Sequence, residues 1–85
     1  MSMRVHECRQ AILRILEEAA PYALPEEQLL IGLNARVRPP LGISDLVVHL
    51  GWLWEQRMIQ KLDGKYGDKI ARWLVTEAGQ AELRR

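Results

Sequence analysis

ISDLVVHLGWLWEQRMIQKLDGKYGDKIARWLVT, residues 43 to 76, is the stretch that decides the architecture. On a helical wheel centred on Leu50, the residues Ile43, Leu46, Val47, Leu53, Trp54 and Arg57 share one side, apolar except at Arg57. Ser44 stands where a hydroxyl would cap the first turn by accepting from an orphan backbone N–H. The helical period stops after Met58 and Ile59. Two short runs follow, IQKLDGKYGDK and KIARWLVT, with a Gly-bearing turn signal between them and β-branched and aromatic residues in the second. The expectation is a helix feeding directly into an antiparallel two-stranded ribbon.

Upstream, Met3 to Ala20 reads as a first helix. Val5, Cys8, Ile12, Ile15, Leu16 and Ala19 occupy a narrow arc, and Pro21 stops it. Cys8 lies in that arc and reads as a small core residue. His6 points elsewhere, so the pair makes no metal site. A second helix is expected from Pro25, with Glu26 and Glu27 in its first turn, Leu29, Leu30 and Leu33 as its buried edge, and Asn34 as terminator. Ile31 falls off that edge. The stretch ARVRPPLGI reads as a loop in which Pro39 and Pro40 hold an extended backbone, and Arg36 and Arg38 are candidates for phosphate contact. Thr76 caps a short last helix that Gly79 weakens.

Three helices, a two-stranded wing and a short terminal helix define an α+β, mostly α, winged helix-turn-helix, expected as one domain over residues 1–85. The 85 residues, 48% apolar and 27% charged, fit an ordered globular chain. Net charge is +1, which neither demands nor excludes a nucleic-acid partner. The distribution is more telling. Residues 1–35 hold three basic and five acidic groups, whereas residues 57–72 hold five basic (Arg57, Lys61, Lys65, Lys69, Arg72) and two acidic (Asp63, Asp68). One cysteine excludes an internal disulfide, and no apolar run approaches a membrane span, so a cytoplasmic location is expected.

Two local signatures carry a resemblance. Leu50-Gly51-Trp52-Leu53-Trp54-Glu55-Gln56-Arg57-Met58-Ile59 is similar to the exit from recognition helix to wing in winged-helix regulators, and Leu74-Val75-Thr76-Glu77-Ala78-Gly79 to their passage from the last wing strand into the next helix. Over roughly residues 11–83 the chain resembles small proteins of Mu-like phages and prophages. The shared pieces are Ile12-Leu13-Arg14-Ile15-Leu16, Ala20-Pro21-Tyr22, Glu27-Gln28-Leu29-Leu30, Ile43-Ser44 and Trp52 through Ile59. The resemblance implies a winged-helix fold, a prophage setting and a DNA-binding role in transcription regulation. Arg57 departs from it, standing where the pattern has glycine; a positive φ there would strain an arginine.

The face of the third helix meant for DNA is expected to show Asp45, Val48, His49, Trp52, Glu55 and Gln56. Ser44, His49 and Gln56 are hydrogen-bond candidates, with Val48 and Trp52 for thymine methyl groups. Between Ser44 and Gln56 there is neither lysine nor arginine. Lys61, Lys65, Lys69 and Arg72, with Tyr66 among them, make the wing the stronger phosphate-contacting element, although lysines also blunt exposed hairpins. Trp54 is expected in the core and Trp52 outside it. Val48 and Trp52 together form the alternative, an anchor for a homodimer or another protein partner. With both histidines isolated and no phosphate loop, metal-ligand cluster or nucleophile motif, no enzyme, cofactor or metal is expected.

Overall fold

The computed structural model describes residues 3–62 and 71–85; the segment 63–70, which carries Lys65, Tyr66 and Lys69, lies outside the described residues. In chain order the elements are α1 (Met3–Ala19), β1 (Leu24–Pro25), α2 (Glu26–Arg36), α3 (Ile43–Glu55), β2 (Ile59–Leu62), β3 (Arg72–Val75) and α4 (Glu77–Leu83). This is a winged helix. The ribbon expected after α3 is present as β2 and β3, antiparallel with Ile59 opposite Val75 and Leu62 opposite Arg72.

The core forms where the helical stripes meet. Ile12, Leu13 and Leu16 of α1, Leu29 and Leu33 of α2, and Leu46, Leu50 and Leu53 of α3 are buried, joined by Ile59, Trp73 and Val75 from the ribbon. Each such side chain stabilises by roughly 1.5–3 kcal/mol through loss of apolar surface to water. Cys8 is buried in this cluster, as its place on the α1 arc implies. Ile31 is exposed, which the sequence left open.

Four local readings need correction. α3 starts at Ile43 with Gly42, not Ser44, as its N-cap, and the Asp45 carboxylate accepts from the Gly42 N–H at 3.1 Å. The helix begins two residues earlier than a Ser44 cap requires, and the Asp45 side chain in its first turn reaches back to the N-cap N–H instead. Pro25 precedes α2 as its N-cap, because it pairs with Arg72 as part of β1. That third strand gives the sheet the order β1-β3-β2. Asn34 does not end α2, which continues to Arg36. Its amide instead clamps the following loop, donating to the Leu41 carbonyl at 3.0 Å while accepting from the Leu41 N–H at 2.8 Å. Both backbone polar groups of Leu41 are thereby satisfied, and the entry to α3 is held against α2.

The fourth correction concerns the width of the α3 stripe. Only Leu46, Leu50 and Leu53 are buried, while Ile43, Val47 and Trp54 from the same wheel sector are about half exposed. α3 packs against α2, α1 and β2 along the Leu46, Leu50 and Leu53 line, and the wheel's outer members stay uncovered.

After α3 the chain turns on Arg57, whose φ is 62°, the left-handed conformation that the resemblance would fill with glycine. The turn is fastened from beyond the wing. The Thr76 hydroxyl donates to the Arg57 carbonyl at 2.7 Å, and the Thr76 N–H donates to the Met58 carbonyl at 3.0 Å. Thr76 also caps α4 as expected, accepting from the Gly79 N–H at 3.2 Å. Gly79 is the residue that lets α4 sit here, for a Cβ at that position would come within 2.3 Å of the Met58 carbonyl oxygen.

Candidate nucleic-acid interface

The outward face of α3 follows from its buried line. Ser44, Val48, Gly51 and Glu55 recur at three- and four-residue spacing opposite Leu46, Leu50 and Leu53. Val48 is 67% exposed, and Val47 beside it 47%. At Gly51 a Cβ would meet no atom within 4 Å, so the helix surface dips there, open to solvent. Gln56 is exposed at the end of the helix. Asp45 is exposed but committed to the Gly42 N–H.

His49 and Trp52 are turned toward α1 instead. The Arg9 guanidinium lies over the Trp52 ring, 3.9 Å from its centroid, a cation–π contact between α1 and α3. Trp52 is 37% exposed, less than Trp54 at 52%. The expected order of the two indoles is therefore reversed. Among the described residues the group lying over Trp52 comes from α1. Val5, Arg9 and Leu13 project at four-residue spacing from α1 and line the hollow beside Trp52, together with Met58 and Glu82. That spacing was available in the sequence, but nothing local pairs it with a tryptophan more than forty positions away. His49 is half-buried and lines a separate hollow with Arg4, Val5, Cys8 and Leu41. Burial, then the nearby positive charge of Arg9, hold its pKa below the ordinary histidine value; Asp45 opposes this, and Arg4 adds to it.

Trp54 marks where α3 meets the ribbon. Its ring stands edge-on to Trp73, with centroids 6.1 Å apart. The Trp73 indole N–H donates to the Glu26 carboxylate at 3.3 Å, tying β3 to the first turn of α2. Lys61 on β2 is exposed, its ammonium 5.8 Å from the Trp54 ring centroid and 6.0 Å from that of Trp73. Arg72 sits across the ribbon from Leu62 and beside Pro25, half-buried and already engaged with neighbouring groups. The described part of the wing thus sets a cationic border beside an apolar helix face. Arg36 is drawn away from that border by its ion pair with Glu18 of α1; Arg38 is exposed. Lys65 and Lys69 fall outside the described residues.

Among the described residues no three His, Cys, Asp or Glu side chains come together in a way that could hold a metal ion, and no helix is long and apolar enough to cross a membrane.

Compared with known proteins, the chain matches no family model and no curated protein sequence. Solved structures do resemble it. A cysteine-to-serine mutant of ZitR from Lactococcus lactis superposes with a TM-score of 0.73 at 17% identity, over 92% of this chain and 47% of that one. The adhesin competence repressor AdcR of Streptococcus pyogenes gives 0.73 at 16% identity, over 91% and 50%. A second ZitR structure, described as a zinc-responsive MarR family member, gives 0.70 at 18% identity, over 91% and 47%. At such identities the likeness is one of fold, and this chain spans about half the length of those proteins.

Proposed function

We propose that this chain is a small winged-helix DNA-binding protein that takes part in transcription regulation, with α3 laid in the major groove and the wing against the phosphate backbone. One observation carries the reading: the outer face of α3 lacks any partner within the described chain and lies beside the ribbon that bears Lys61 and Arg72. The winged-helix likeness to a protein named as a repressor supports it. In this arrangement Ser44, Val48 and Gln56 approach the bases, and Lys61, Lys65, Lys69 and Arg72 meet phosphates. His49 and Trp52 act from behind, seating α3 on α1 through Arg9. The setting in a Mu-like prophage rests on the sequence resemblance alone.

The test is binding of labelled duplex DNA by fluorescence polarisation across a salt series. Four phosphate contacts give a slope of log affinity against log salt of about −3.6, or roughly a hundredfold loss between 50 and 200 mM. Replacing Lys61, Lys65 and Lys69 with glutamine should flatten that slope to about −1. Absence of binding at 50 mM salt, or a slope untouched by the triple replacement, refutes the reading.

A second reading keeps the fold and makes α3 a protein-docking face for a homodimer or another protein. It is favoured by the exposure of Ile43, Val47, Val48 and Trp54 on a helix with no lysine or arginine between Ser44 and Gln56. Val48→Asp would then abolish a dimer or complex seen by light scattering, and an unchanged mass with intact DNA binding would dismiss it.

A further inference from the structure

We infer that α3 recognises thymine-rich duplex DNA by apolar contact of Val47 and Val48, either side of the dip at Gly51, with thymine methyl groups, and that it does not recognise guanine. This rests on the DNA-binding reading above and specifies its target.

The first argument is one of propensity. Ile43, Val47 and Val48 are β-branched and stand on a helix, the first two nearly half exposed and Val48 about two-thirds. Branching at Cβ costs rotamer freedom against the preceding turn, so a purely solvated face is better filled by alanine, glutamate or lysine. Val48 on the outward face, with Val47 and Ile43 on the flank beside it, marks a surface that meets something apolar.

The second argument is chemical. In the major groove the thymine C5-methyl is the apolar group that base edges present, whereas guanine shows two acceptors that call for the fork of an arginine or the ammonium of a lysine. α3 has no such donor between Ser44 and Gln56. The acceptor at Asp45 is already used by the Gly42 N–H, leaving Glu55 as the outward acid.

The third argument is shape. Gly51 lies one helical turn from Val47 and Val48, and the space its missing side chain leaves is empty. A base edge can therefore approach the backbone there with a methyl group between the two valines. The charge layout fits DNA bases rather than a second copy of this chain. The apolar face is bordered on the ribbon side by Lys61, as a groove floor is bordered by phosphates.

The experiment compares three labelled duplexes of equal length at 50 mM salt by fluorescence polarisation: one A·T-rich, the same duplex with every thymine replaced by deoxyuridine, and one G·C-rich. Deoxyuridine keeps the pairing and the O4 acceptor and removes only the methyl. Burial of one methyl corresponds to about fourfold in affinity and two to about fifteenfold. The thymine duplex should bind tighter than its deoxyuridine twin by that amount, and tighter than the G·C-rich duplex. The variant Val47→Ala/Val48→Ala should bind both A·T duplexes alike with an unchanged salt slope. Both positions are exposed and alanine favours helix, so this variant should stay folded, as circular dichroism would verify. Equal binding of the thymine and deoxyuridine duplexes by the unaltered protein overturns the inference while leaving DNA binding intact. Failure to bind any duplex overturns the DNA-binding reading itself. A doubled mass by light scattering that Val48→Asp abolishes would then give the face to a second copy of this chain.

Discussion

Gly79→Ala is the substitution whose consequence the structure sets most sharply. A methyl group at residue 79 would lie 2.3 Å from the Met58 carbonyl oxygen, 2.8 Å from Val75 Cγ2 and 3.2 Å from Leu13 Cδ2. The first of these neighbours is backbone, and it is held in place by accepting the Thr76 N–H at 3.0 Å. Relief requires α4 to move by about 1 Å, which stretches that bond and the Thr76 cap. Overpacking of this kind costs up to ~3 kcal/mol. Alanine returns up to ~1 kcal/mol of helix propensity. The net loss is about 2 kcal/mol, a large part of the roughly 4–13 kcal/mol expected for a chain of this length. At about 4–8 °C per kcal/mol the melting temperature should fall by roughly 8–16 °C. Thermal and urea denaturation followed by circular dichroism read this directly. Gly51→Ala is the internal control, since nothing lies within 4 Å of its added methyl. It should stabilise by up to ~1 kcal/mol. A Gly79→Ala protein as stable as its parent would mean that α4 does not pack against Met58 as described.

Arg57 bears the left-handed cost of a residue with a Cβ, about 1–2 kcal/mol. Arg57→Gly removes it, offset by the greater freedom of glycine in the unfolded chain, so a gain of up to ~1 kcal/mol in urea denaturation is expected; a destabilised variant would refute the strain. His49 supplies a pH dependence. Its folded pKa lies below 6.5 because of burial and then Arg9, so the unfolded chain takes up a proton first as pH falls. Its stabilising contribution is thus complete above pH 6.5 and is lost as pH drops through the folded value. His49→Gln should lose less stability than its parent between about pH 7.5 and about pH 5, and equal losses in the two proteins would contradict the burial of this ring.

Much of the architecture is legible locally because it rests on local periodicity. Leu46, Leu50 and Leu53 recur with the helical period, the runs after Met58 carry β-branched and aromatic residues, and Thr76 caps α4 at the spacing its hydroxyl can reach. What escapes the sequence depends on pairs distant along the chain. β1 is two residues containing a proline, too short for any strand signal, and exists because Trp73 and Arg72 lie opposite. Asn34 looks like a helix terminator until Leu41 folds back onto its amide. The candidate site divides in the same way. The lack of basic residues on α3 is plain from composition. The reversal of Trp52 and Trp54 is not, because it depends on where Arg9 of α1 comes to rest.

The strand order β1-β3-β2 has a consequence for assembly. The β1 border is two residues long and ends in Pro25, which has no N–H to offer a further strand. Growth of the sheet by an added strand, whether from a recruited peptide or from a misfolded neighbour, is therefore restricted to the outer side of Ile59–Leu62. Lys61 stands on that border, so addition there would have to accommodate its charge.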